Sequence, residues 1–320
     1  MKETDEESQS EQKTAVVDDK SEASTSAQEV ANPAKADASQ EKSLERNKGR
    51  LISIIVAVVA AAAICCYAFV IVPHNQAVNE FNTAASKVRE KNTELQRKID
   101  TAKADLDAGK KPLDTSTKDA LNVAVANARQ SMRTIPDVPL MTNEIKAGTA
   151  KLSKPLDYTK DIKSLDDAKS AYETSVQQLE QVTAPSQDFI VSRLGTISDI
   201  SDIEPVNEEN DVNQLLNKSG GYTAAVFFHY NNLNDPYGTY AGKSSIDNGT
   251  AGGGCVEVFG NTDDAKKRNE YLASFDGMGA FSGGSHYLVG TVLIRTSYEL
   301  TATQQNTLTS EIKDALIAVQ

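Results

Sequence analysis

From Leu51 to Val72 the chain reads LISIIVAVVAAAAICCYAFVIV, 22 residues without a charged side chain. A helix rises about 1.5 Å per residue, so this stretch extends roughly 33 Å, enough to cross the hydrocarbon core of a bilayer. Such a segment divides a chain, because whatever precedes it and whatever follows it must fold apart. The residues just before it include Lys42, Arg46, Lys48 and Arg50, whereas the first Lys or Arg after it is Lys87. By the positive-inside rule the N-terminus is cytoplasmic and everything past Pro73 is extracellular. Tyr67, near the outer end, suits an interfacial aromatic. A cleaved signal peptide is the competing reading, with Ala60 to Ala62 as the small-residue site, but the apolar run continues from Ile64 to Val72. Ile64 in front of Cys65 does not suit a lipoprotein, and Cys65 and Cys66 read as small apolar residues.

Charge separates the remainder into three regimes. Residues 1–50 hold 8 basic and 12 acidic side chains, residues 74–185 hold 17 and 16, and residues 186–320 hold 8 and 17. The net charge of -12 supplies no global positive field to recruit nucleic acid. Residues 1–50 contain no aromatic side chain. Such a stretch buries too little apolar surface to offset chain entropy, and a disordered cytoplasmic tail is expected.

In residues 74–185, Phe81, Ala85, Val88, Asn92, Leu95, Ile99, Ala102 and Leu106 alternate four and three apart, the spacing of a bundle or coiled-coil seam. Gly109 and Pro112 interrupt it. A second helix is predicted from a Ser116 and Asp119 cap through Leu121, Val125, Ala128, Met132 and Ile135 to Pro136, and a third from a Ser164 and Asp167 cap to Pro185. Folding back as a three-helix bundle and extending as a dimeric coiled coil are both open, the Gly109–Pro112 turn favouring the former. The second option implies a homodimer through this helical region.

Beyond Pro185 the period changes. Tyr222–Tyr230, Cys255–Phe259 and His286–Thr296 read as strands, rich in Val, Phe, Tyr and Thr. Helices are predicted over Gln187–Leu194 and Glu208–Asn217, after an Asn261 cap, and after Thr301 or Thr303. The expected fold is α+β: a disordered tail (1–50), one transmembrane helix (51–73), a helical stalk (74–185) and an extracytoplasmic domain (186–320) with a small antiparallel sheet and helices on one face.

The segment from Asn231 to Gly254 far exceeds the usual connection of about 4–6 residues. With Tyr230 at its entry, its Asn234, Asp235, Tyr237, Tyr240 and Asp247 combine aromatic faces with polar ends suited to a sugar or peptide. Gly249 and Gly252 to Gly254 do not make a phosphate loop, because a strand rather than a helix follows them. If the second and third predicted strands both flank the first, His229, Cys255 and His286 approach one another as metal ligands. Ser285 or Cys255 with His229 or His286 and Asp276 supplies residue types for nucleophilic catalysis, without any motif. No cofactor site is read.

The strand Tyr222–His229 and the segments GTAGGGCVEVF (249–259), DAKKRNEYLASFD (264–276) and SHYLVGTVLIRTS (285–297) carry a resemblance over the C-terminal third. They resemble the C-terminal domain of uncharacterised single-pass cell-envelope proteins of Gram-positive bacteria, some named as homologues of extracellular-matrix-binding proteins. The resemblance implies topology and no catalytic residues. The expected function is that of a membrane-anchored, non-enzymatic binding or scaffold protein with an envelope glycan or protein as ligand. A hydrolase of peptide or glycan bonds and a transmembrane relay through the tail are the alternatives.

Overall fold

The computed structural model describes residues 38–277 and 283–319. The expected disordered tail falls mostly on residues 1–37, outside the described residues. Where it overlaps them it is corrected: helix α1 begins at Ala38 and runs to Cys66, taking in the cations before Leu51. The described chain has one helical stretch long and apolar enough to cross a membrane, found within Lys48–Asp107. Its Leu51, Ile52, Val58, Val59 and Phe69 are all well exposed. A π-helical turn, Tyr67–Ile71, precedes Pro73, whose ring has no N–H to donate to the α ladder. Among the described residues, those up to Val70 form one unit and those from Ile71 onward the other.

The second unit starts with helix α2, Val72–Asp107. Its seam is buried within the same chain: Phe81, Ala85, Val88, Leu95, Ile99 and Ala102 are each at most 3 % exposed. Helices α3 (Ser116–Ser131), α4 (Thr142–Leu152) and α5 (Thr159–Gln181) cover it. Tyr158 meets Asn92, Asp166 meets Lys98 and Lys169 meets Asp105, so α5 runs in the direction of α2. The Leu113 N–H donates to the Ser175 carbonyl while the Ser131 hydroxyl reaches Asp161, so α3 runs the opposite way. The helices fold back as a three-helix bundle (α2, α3, α5), with α4 packed on the first turns of α2. A dimer through the seam would lack the apolar surface, which the chain already uses. Asn92 is fixed there by two bonds, donating to the Arg133 carbonyl and accepting from the Tyr158 hydroxyl.

Two boundaries differ from the sequence reading. Helix α5 begins at Thr159 rather than at Ser164, because the Asp157 carboxylate accepts from the Thr159 N–H and hydroxyl and starts the turn early. Helix α3 stops at Ser131, and Met132 is already extended.

After α6 (Gln187–Leu194) come five strands: β1 (Ile200–Pro205), β2 (Ala224–Tyr230), β3 (Gly253–Val258), β4 (Ser285–Val289) and β5 (Val292–Thr296). They make one antiparallel sheet in the order β1-β2-β3-β5-β4. The middle strand is therefore β3, not β2. The segment expected as one strand, His286–Thr296, is a hairpin turning at Gly290, whose φ of 59° suits a residue without a Cβ. The sequence reading misses β1. That strand is at the sheet edge, lacks an apolar run (ISDIEP), and its pairing is interrupted between Ser201 and Glu204. The helix expected over Glu208–Asn217 is instead a run of turns, in which the Asp211 carboxylate accepts from the Leu216 N–H and the Tyr222 hydroxyl.

Alternate strand residues feed two cores. Val226, Phe228, Val256 and Ile294 pack with α6 and with α9 (Ala302–Ile317). Ala225, Phe227, Cys255 and Leu293 pack with α8 (Thr262–Ala273). Helices cover both faces of the sheet rather than one, which accounts for the nearly unbroken apolar run AAVFF in β2.

Candidate functional site

The long segment after β2 is tied down along its length. The Asn232 amide donates to Asp199 at 2.9 Å, and the Asn232 carbonyl accepts from Gln304 of α9 at 3.3 Å. The Asp235 carboxylate accepts from the Thr239 and Tyr240 N–H groups at 2.8 and 2.9 Å, closing a tight turn. These N–H groups, led by that of Tyr240, hold the Asp235 carboxyl below its ordinary range. The Tyr240 hydroxyl donates to Glu299 at 3.1 Å and sits beside the Tyr298 phenol. Burial, then Glu299 and Tyr298, push the Tyr240 phenol up, so it stays neutral and bonded.

Farther along, a helical turn, α7 (Ser245–Asn248), is capped by the Ser244 hydroxyl and fixed to β1. Ser245 donates to the Asp202 carbonyl at 2.6 Å and the Ile246 N–H to Glu204 at 3.0 Å. Gly253 and Gly254 then enter β3. A Cβ on Gly254 would stand 2.4 Å from both the Arg295 carbonyl oxygen and the Phe228 ring, so close strand packing requires this glycine.

The six residues proposed as a ligand set are thus separated by role. Tyr237 is 91 % exposed at the turn, and Asn234 and Asp247 are also exposed. Asp235 and Tyr240 are used in holding the turn. Tyr230 is corrected outright: it is buried in the core with α6 and α9. Sequence reading missed Tyr298 and Glu299, the neighbours of Tyr240. Residue pattern carries no signal for them, since about 60 positions separate the partners.

The proposed metal ligands do not converge. The sheet order places β4 beside β5 and separates it from β2 by two strands, β3 and β5, contrary to the arrangement that motivated the site. His229 pairs with Gly253, Cys255 with Phe227 and Arg295, and His286 with Arg295. Among the described residues no group of three His, Cys, Asp or Glu side chains is disposed to hold a metal. Cys255 is fully buried, and burial followed by the nearby Glu257 charge pushes its thiol up, leaving a protonated and inaccessible group. The His286 ring is held at 2.8 Å by Asn269 and at 3.2 Å by Asp276.

The same face hides a charge network. Glu257 is wholly buried in β3 and is gripped by Arg268 of α8 through two bonds, 2.9 and 3.0 Å, and by Arg295 of β5 at 2.8 Å. Burial alone would raise its carboxyl, but the Arg268 hydrogen bond and the charges of Arg295 and Arg268 outweigh it and hold it below the usual range. An ionised carboxylate in a closed, bidentate grip is a fastener between helix and sheet rather than a proton shuttle. Two open grooves of about 750 and 770 Å³ lie in the helical region along α2, away from this network.

No family model matches the chain, and no curated protein or solved structure matches it.

Proposed function

We propose that the chain is a membrane-anchored, extracytoplasmic binding or scaffold protein of the cell envelope, its N-terminus cytoplasmic and residues 74–320 outside. The observation that carries the reading is Tyr237, 91 % exposed on a long segment that hydrogen bonds fasten to β1, α9 and the turn after β5. An aromatic face shown to solvent from a fastened segment is suited to stacking on a sugar ring or a peptide side chain, with Asn234 and Asp247 as further exposed polar groups of the same segment. The excess of 17 acidic over 8 basic side chains in residues 186–320 favours neutral or cationic ligands over wall polyanions. The resemblance of the C-terminal third to envelope proteins agrees with this reading.

The test is co-sedimentation of the detergent-solubilised full chain with isolated cell-wall sacculi, beside a neutral-glycan array. Tyr237→Ala, at a site outside the core, is expected to leave folding intact and weaken binding about two- to twelvefold, the worth of one aromatic contact of roughly 0.5–1.5 kcal/mol. Equal binding by variant and parent removes this segment from the ligand site.

A further inference from the structure

We propose that the free edge of β4 is a homodimer surface, on which a second copy of the chain pairs antiparallel and continues the sheet. The inference depends neither on the membrane reading nor on the Tyr237 segment.

Backbone register decides which groups are free. The Phe259 N–H donates to the Thr291 carbonyl and the Ser297 N–H to the Gly253 carbonyl. Bonding in an antiparallel pair alternates along each strand, so Leu293 and Arg295 bond to β3 while Val292, Ile294 and Thr296 bond to β4. Val289, Tyr287 and Ser285 stand opposite those three, which leaves the N–H and carbonyl groups of His286 and Leu288 pointing away from β5. Among the described residues no other strand pairs with them and no loop backbone bonds to them. The strand itself is held firmly: Asn269 and Asp276 fix the His286 ring, Leu288 packs into the core with α8, and Val289 into the core with α6 and α9.

The two edges of the sheet are treated differently. At β1 the pairing is broken between Ser201 and Glu204, Asp202 has a φ of 45°, Pro205 has no N–H, and α7 covers the strand through Ser245 and Ile246. These are the devices that keep an exposed edge from pairing with another chain. At β4 none of them is present. From Gly277 to Ile294 the sequence has 18 residues without Asp, Glu, Lys or Arg, and Tyr287, in mid-strand, is 43 % exposed.

A second copy is the occupant that this edge fits. With 17 acidic and 8 basic side chains in residues 186–320, two copies repel each other over most of that surface, and the uncharged β4 hairpin is where they can approach. A two-fold axis at Tyr287 sets His286 of each copy opposite Leu288 of the other, so all the outward groups pair in four N–H···O bonds. The two Tyr287 residues then face each other as a non-hydrogen-bonded pair with Cα atoms about 4.5 Å apart, the spacing at which cross-strand aromatic pairs stabilise a sheet. Capture of a foreign strand needs side-chain pockets beside the edge, and the sizeable grooves along α2 lie in the helical region instead.

The experiment uses the detergent-solubilised full chain with Cys65→Ala and Cys66→Ala; native Cys255 is buried. Under mild oxidation Tyr287→Cys is expected to give a disulfide-linked dimer, because about 4.5 Å between Cα atoms suits the bond. Ser285→Cys should not link, since four residue steps of about 3.4 Å put its two copies roughly 14 Å apart, and Val123→Cys, exposed on α3, serves as the collision control. Sedimentation equilibrium of the same chain with Tyr287 intact should show a monomer–dimer equilibrium that Tyr287→Lys weakens about tenfold or more, by removing the aromatic pair and setting like charges opposite. An unchanged melting temperature for Tyr287→Lys shows that folding is kept. A chain that stays monomeric without Tyr287→Cys linkage overturns the proposal, as does equal linkage at all three positions. A dimer unaffected by Tyr287→Lys places association elsewhere and overturns it too. Linkage of Tyr287→Cys to a different protein in native membranes would replace the second copy as the occupant.

Discussion

Glu257→Ala is expected to destabilise residues 186–320 by about 3–5 kcal/mol, the cost of stranding a buried charge partner, and to lower the melting temperature by roughly 10–20 °C. The change leaves Arg268 and Arg295 facing each other across the position of the lost carboxylate, beneath α8, with no counter-charge. Glu257→Gln keeps the shape and one acceptor oxygen, and its loss should be smaller. Thermal unfolding followed by near-ultraviolet circular dichroism reports it through the tyrosines; a melting temperature within about two degrees of the parent would mean that the network contributes little.

The same carboxylate sets a pH dependence. Its folded pKa lies below the ordinary value of 4.5, so its contribution is fully present above pH 4.5 and is lost as the pH falls from there through the folded value. The parent protein should therefore lose stability on acidification in that window, and Glu257→Gln should lose less of it. Parallel acid-unfolding curves for the two proteins would assign the acid sensitivity to other carboxylates.

Phe81→Ala is expected to cost about 3–5 kcal/mol in the helical region, from lost apolar transfer together with the cavity left behind. The ring is 1 % exposed and packs against Ile145 and Leu152 of α4. A Cβ built on Gly148 would stand only 2.8 Å from the ring, so Phe81 and Gly148 fit each other, and the vacated space has no side chain of residue 148 to collapse into it. Amide exchange localises the effect: protection over Thr142–Leu152 should fall more than protection over Thr159–Gln181, which packs on the later turns of α2. Equal loss across both helices would show that the bundle opens as one unit.

Much of the fold was legible where one residue decides a local structure. The Asn261 side chain caps α8 by accepting from the Asp263 and Asp264 N–H groups, and Thr301 with Gln304 forms a capping box at α9, both at expected positions. Helix Gln187–Leu194 has the expected ends. The candidate ligand segment was legible in its length and composition, yet its roles were not. Tyr230 and Tyr237 are the same residue type seven positions apart, and only packing makes one a core side chain and the other 91 % exposed.

The uncharged 22-residue run, the heptad seam and the change of period beyond Pro185 can all be read from residue order, because each depends on neighbours within a few turns or residues. Tertiary structure alone decided that the seam is covered by its own chain and that β3 rather than β2 is central. It alone joined Glu257 to Arg268 and Arg295, and brought Thr142 to His74 across 68 positions. The physical reason is the same in each case: burial and ion pairing are settled by which surfaces meet after the chain returns on itself, and a local pattern of residues carries no record of its distant partner.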